Sequence, residues 1–113
     1  AGDEAYERSF RALLLDPNAD LGIVGIVPLT VMMNTLAADP AVHQEDVTRD
    51  DSIAARYGRL ARETSKPFVA VVDTGPLYDP LCRELERHGV PVFRTADRAL
   101  RMLERWRNSP AAR

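Results

Sequence analysis

The 113-residue sequence holds a single cysteine, Cys82. One thiol cannot close an intrachain disulfide, so no covalent staple supports the fold, and a reducing, cytoplasmic compartment is the expectation. Long apolar runs are missing too. None approaches the roughly 18 residues of a helical membrane span, no secretory signal opens the chain, and a membrane partner is not expected. Positive charge is not in excess, with 15 Lys and Arg against 17 Asp and Glu, a net charge of -2 and a pI of about 5.7. No stripe of Lys and Arg is interleaved with aromatics, which argues against nucleic acid as the main partner. Walker A, GxGxxG, GxSxG and CxxC patterns are all absent, so the usual short signatures of nucleotide, hydrolase and redox sites are missing. An initiator Met is absent as well, and the chain reads as a piece of something longer, or as a processed or trimmed chain.

What is present is ordinary for a globular chain, 45% hydrophobic and 28% charged. This length supports one domain with a real core, though a small one for an independent enzyme. Residues 3–15 set Tyr6, Phe10, Leu13 and Leu14 at i, i+4, i+7 and i+8, the stripe of an amphipathic helix. Asp16-Pro17-Asn18 breaks it. "LGIVGIVPL" is apolar on both parities, as in a strand buried on both faces of a parallel sheet. Its two glycines leave room for close helix packing, and Pro28 stops it. Thr30 to Asp50 is then a long irregular connection, which in so small a domain is functional, mobile or an inserted excursion.

Residues 51–64 align Ile53, Tyr57, Leu60 and Ala61 on one face of a second helix, and "KPFVAVVDTG" predicts a second buried strand. Asp79-Pro80 starts a third helix, with Asp79 capping free N–H groups and Pro80 in the first turn. Leu81, Cys82, Leu85 and His88 share its inner face, and Gly89 ends it. "VPVFR" is a short third strand. Thr95 caps a last helix bearing Ala99, Met102, Leu103 and Trp106, with a frayed tail from Ser109 to Arg113. The order α-β-α-β-α-β-α predicts a single α/β domain over residues 1–113. It is a three-layer αβα arrangement around a parallel, flavodoxin-like or Rossmann-like sheet of about three strands, with about four helices.

"VVDTGPLYDP" raises the question of chemistry, because Asp-Thr-Gly carries the catalytic carboxylate of aspartic proteases. Such an enzyme needs two Asp loops facing each other in an all-β frame, so that the carboxylates share a proton. Here a helix follows the loop directly, and helices make up about half the chain. Asp73 instead ends a parallel strand, where an open α/β sheet forms its ligand crevice. Gly75 permits a tight turn, in a conformation where a Cβ is expected to be strained. The next helix could present N–H groups to an anion. Asp73, Thr74 and Gly75 are therefore the candidate ligand-binding loop; the alternative is that Asp73 only caps its own turn.

Other reactive residues have plainer readings. His43 lies among carboxylates in "AVHQEDVTRDD", but at no metal-ligand spacing, and reads as part of a solvated loop. His88 suits a helix C-terminus as a cation, in a structural role. Cys82 reads as a small core residue, and Met32-Met33 as packing a loop against the sheet, or as lining an acyl pocket. Arg98, Arg101, Arg105 and Arg107 read as a solvated face. No catalytic residue and no metal ligand is assigned.

The assembled pattern resembles a known family. "YERSFRALLLDPNADLGIVGIVPL" and "KPFVAVVDTGPLYDPLCRELERHGVPVFRTADRALRML" are similar to segments of the NDP-forming acyl-CoA synthetases, relatives of succinyl-CoA synthetase that include ADP-forming acetate–CoA ligase. "GVPVFRTADRAL", Gly89 to Leu100, is the most specific part. The resemblance implies the later part of a flavodoxin-like ligase domain. In that family acyl-CoA, NDP and phosphate are interconverted with the acid, CoA and NTP. A phosphohistidine carries the phosphoryl group between a CoA-binding region and an ATP-grasp domain. CoA and ATP or ADP, with Mg, are thus implied for the whole enzyme, and its CoA-binding and ATP-grasp domains are the implied partners. The family's opening strand with its Gly-rich turn is missing here, so the resemblance implies a truncated sheet whose open edge favours pairing between copies, and a homo-oligomer is expected. Neither His43 nor His88 matches the phosphohistidine segment. No cofactor is expected in this chain itself, and it is expected to be inactive alone.

Overall fold

The computed structural model describes residues 2–27 and 33–109. Helices and strands alternate along it: α1 Gly2–Leu14, β1 Gly22–Gly25, α2 Ile53–Glu63, β2 Phe68–Val71, α3 Asp79–Arg87, β3 Val92–Phe93 and α4 Ala96–Arg107. The three strands form one parallel sheet in the order β1-β2-β3. This is the small αβα arrangement expected from the alternating pattern. Pro28, Thr30, Met32 and the tail after Ser109 lie outside the described residues.

Strand alternation divides the core. Phe68, Ala70 and Val72 face one side, where Phe10 and Leu14 of α1, Ile53, Tyr57 and Leu60 of α2, and Leu81, Cys82 and Leu85 of α3 cover them. Val69 and Val71 face the other side, where Ala99 and Leu103 of α4 cover them and Leu21, Ile23 and Phe93 pack at the margin. Side chains two residues apart share a face of a strand, so a strand covered on both sides must be apolar at every position. All four residues of β2 are buried.

β1 departs from the reading of a strand buried on both faces. Only Val24 of its four residues is buried, and Gly25 is exposed. The reason is position: β1 is an edge strand, and α4 packs over β2 and β3. Its outer edge has no strand partner among the described residues and runs beside an apolar groove of about 450 Å³ between Tyr6, Phe10, Leu13 and Ile23. Gly22 does provide close packing, since a Cβ there would lie 2.8 Å from the Phe10 ring, whereas Gly25 faces open space.

α2 begins at Ser52, whose hydroxyl accepts from the Ala55 N–H, a cap the charge pattern around it obscured. Tyr57 meets Phe10 and Phe68 edge-on, with centroids 5.8 and 6.2 Å away, and those two rings lie 5.1 Å apart. Edge-to-face pairs of this kind contribute about 0.5–1.5 kcal/mol each beyond area burial. The Tyr57 hydroxyl is buried with no hydrogen-bond partner among the described residues, and burial raises its pKa.

The described part of the long connection, residues 33–51, is held by side chains rather than by regular structure. Asp3 of α1 accepts the Asn34 backbone N–H at 3.2 Å. Glu45 accepts from the Thr35 N–H and hydroxyl at 3.0 and 2.9 Å, and Asn34 Oδ1 accepts from Asp46 N–H at 3.1 Å. Met33, Thr35 and Val47 are buried, so Met33 packs as the sequence suggested. Two expectations for α4 are corrected. Met102 and Trp106 are exposed, because only the stripe through Ala99 and Leu103 reaches the sheet. Thr95 occupies the N-cap position, but its side chain makes no capping bond.

Gly58 marks the closest approach of α2 and α3. A Cβ at position 58 would lie 2.6 Å from the His88 Cβ, an atom fixed to the backbone. Gly58→Ala must separate the two helices and should cost about 1–3 kcal/mol, measured by urea denaturation. The cost should shrink in a His88→Gly background, and equal losses in both backgrounds would disprove the contact.

His88 ends α3, where its N–H bonds to Glu84 O, and Gly89 follows in the left-handed region at φ 88°. Burial against α2 lowers the imidazole pKa below its usual 6.5, helped by Arg87, Arg62 and Arg59 and opposed by Glu84. This corrects the view of His88 as a helix-end cation, since desolvation outweighs the attraction of Glu84. The folded value lies below the unfolded one, so the unfolded chain binds more protons between them. His88 should therefore reduce stability as the pH falls from 6.5 toward its folded pKa. In urea melts across that window His88→Gln should flatten the slope; an unchanged slope would refute the assignment.

Candidate functional site

The carboxyl ends of β1 and β2 open toward the loops that lead into α2 and α3. Ligand crevices form at this edge of an open α/β sheet. β2 stays in the ladder through Val72, whose N–H bonds to Phe93 O at 2.9 Å. Asp73 then leaves the sheet and is exposed. Its carboxylate makes no hydrogen bond or ion pair with the described residues, so it does not cap its own turn. The Thr74 hydroxyl is buried and has no hydrogen-bond partner among the described residues. Residues 73–75 give way to a single 3₁₀ turn, Pro76–Tyr78, closed by Tyr78 N–H to Gly75 O at 3.1 Å.

Two expectations about this loop are corrected. Gly75 has φ -71° and ψ -174°, an extended backbone open to any residue, and nothing lies within 4 Å of an added Cβ. The 3₁₀ turn makes the change of direction, so glycine's freedom is not needed. Asp79 is already inside α3, and Tyr78 takes the N-cap position with no side-chain capping bond. The Asp79 carboxylate instead pairs with Arg94.

Arg94 is the residue that sequence reasoning missed. It stands one position beyond β3, and its Nη1 donates to Thr74 O at 3.2 Å and to Val72 O at 3.5 Å. Its Nη2 pairs with Asp79. One planar guanidinium therefore joins the end of β2, the loop after it and the first turn of α3. The only signal in the sequence was an Arg directly after a strand, with an Asp awaiting a partner at the next helix start.

Beside this staple lies a cleft of about 700 Å³, between the connection 36–43 and the start of α3. Leu36, Val42, Leu77 and Pro80 supply apolar walls, and Asp39, His43, Asp79 and Arg83 supply polar groups. Its volume lies within the usual range for small-molecule sites. His43 Nδ1 accepts the Glu45 N–H at 3.1 Å, which leaves the ring proton of the neutral imidazole on Nε2. His43 is thus half-buried and held, not freely solvated as its sequence suggested.

The structure brings Asp73, Thr74 and Gly75 to the same edge as this cleft, but Asp79 and Arg94 organise it. Cys82 and His88 lie elsewhere. Burial raises the Cys82 thiol pKa, which keeps it protonated and unreactive. No group of three metal-ligating side chains occurs among the described residues, and the cleft residues form no nucleophile–base pair. Comparison with protein-family models, with curated proteins and with solved structures finds no match.

If Asp79 acts through Arg94, a double-mutant cycle of Asp79→Ala and Arg94→Met should give a coupling of about 0.5–1 kcal/mol, as for a half-exposed pair. Strictly additive losses in denaturant melts would mean that Asp79 contributes independently of Arg94.

Proposed function

We propose that the chain is the later part of a flavodoxin-like ligase domain of an NDP-forming acyl-CoA synthetase. Such an enzyme converts acyl-CoA, NDP and phosphate to the acid, CoA and NTP. The observation that carries this reading is the segment Gly89 to Leu100. In sequence it is the most specific likeness to that family, and in space it supplies β3, Arg94 and the start of α4, which organise the crevice edge. The role assigned to the domain is to support a ligand or a neighbouring domain at the edge formed by Asp73, Thr74 and Gly75. The chemistry is assigned to the other domains of the enzyme.

This chain's residues do not fit the nucleotide–metal part of the reaction. They contain no Gly-rich phosphate loop, and the described residues hold no cluster that could take Mg. ATP or ADP with Mg, and the phosphohistidine, belong in this reading to the CoA-binding and ATP-grasp domains. Neither His43 nor His88 carries the phosphoryl group. The open edge of β1, with its apolar groove, is the surface where a strand of the same enzyme or a second copy would add. The cytoplasmic location follows from the reaction assigned. No helix among the described residues is long and apolar enough to cross a membrane.

A second reading, a non-catalytic module that binds a nucleotide or CoA, is favoured by one observation: the cleft has walls and charges but no reacting pair. The two separate experimentally. The chain alone, given acetyl-CoA, ADP and phosphate, should release no CoA above background. Addition of CoA-binding and ATP-grasp domains encoded beside it should give turnover that depends on the chain. Turnover by the chain alone that is lost in His43→Ala, or a coding region with neither domain nearby, would overturn the ligase reading. In that second case, saturable binding of CoA or ADP by the chain would support the module.

A further inference from the structure

α4 buries Ala99 and Leu103 against the sheet and turns the rest of its apolar surface outward: Leu100, Met102 and Trp106 are exposed by 57%, 48% and 37%. Arg98, Arg101 and Arg105 stand around Met102 at helical spacing, so three guanidiniums and a thioether share one flank. Together with Phe93 of β3 they line a notch of about 300 Å³. Arg101 is tied to Asp97 at 2.7 Å, while Arg98 and Arg105 have no carboxylate partner among the described residues. This flank is basic in a chain whose net charge is -2. Its residue types, Trp, Met, Phe and Arg, are those enriched at the centres of protein–protein interfaces.

We propose that this flank of α4 docks an acidic segment of a partner protein, with an apolar side chain seated on Phe93 and Met102 and carboxylates on Arg98 and Arg105. Charge complementarity selects the acidic partner. A nucleic acid fits poorly, because affinity for phosphate backbones grows with the number of neutralised phosphates, and only two unpaired guanidiniums line this notch. The surface lies on the helix that covers the opposite sheet face from α1, α2 and α3, and the inference is independent of the ligase reading.

Trp106 is the only tryptophan in the chain, so its emission reports the flank directly. The probe is a peptide of about twelve residues with Leu and Phe set among Asp and Glu. One control replaces the acids with Lys, and another replaces Leu and Phe with Ser. The acidic apolar peptide should change Trp106 emission saturably. Both controls, and the acidic peptide on Arg98→Glu/Arg105→Glu, should bind at least about tenfold more weakly. Met102→Ser should also weaken binding; all these positions are exposed, and circular dichroism confirms that the variants stay folded. The proposal is overturned by no saturable response to the acidic peptide, by equal binding of either control, or by unchanged affinity in the charge-reversed variant. Saturation by ADP or a single-stranded oligonucleotide at lower concentration than the peptide would equally overturn it.

Discussion

β2 has no face that water can reach, and the rest of the molecule is arranged to keep it so. Phe68 to Val71 are all buried, and a strand in that state cannot stand alone. It needs hydrogen-bonding neighbours on both edges, which β1 and β3 supply, and helices on both faces. Those helices are three on one side and one on the other. The inequality explains why the edge strand β1 is half-covered and why α4, alone on its side, turns so much apolar surface outward.

The same constraint positions the crevice. Because β2 is central, its carboxyl end emerges between the connection from β1 and the start of α3, and the chain must turn there without clashing with β3. The turn is made by Pro76–Tyr78 and locked by Arg94 from the neighbouring strand end. A guanidinium suits the task because its fork can serve two carbonyls and a carboxylate at once. The strand end, the loop and the first turn of α3 are therefore tied together by one side chain.

The alternation of helices and strands was legible because it depends on periodicity, and the fully apolar "FVAV" of β2 could hardly be anything but a central strand. Coverage was not legible. "GIVG" reads like "FVAV", yet only the second has helices on both faces, and no local pattern tells which strand lies at an edge. The α4 stripe failed for the same reason: Met102 and Trp106 keep the helical period, but the sheet beneath is too narrow to receive them. At the site, Asp73 was correctly placed at a strand end. Asp79 was misread because a helix-start Asp looks like a cap until an Arg from another strand claims it. Arg94 could not be seen as the organiser, since its partners are 15 to 22 positions away.

Asp3 ties the first turn of α1 to Asn34, 31 positions along the chain, through both carboxylate oxygens. Burial raises its pKa above the usual aspartate value, opposed by the hydrogen bonds from Asn34. Besides the burial of Met33 and Val47 in the main core, the start of α1 and the connection it grips are joined by this anchor. Its release hydrates a charge that folding had withdrawn from water. Leu36, whose carbonyl accepts the Val47 N–H, begins the cleft wall two positions beyond Asn34, so a carboxylate in the first turn of α1 helps to fix where that wall starts.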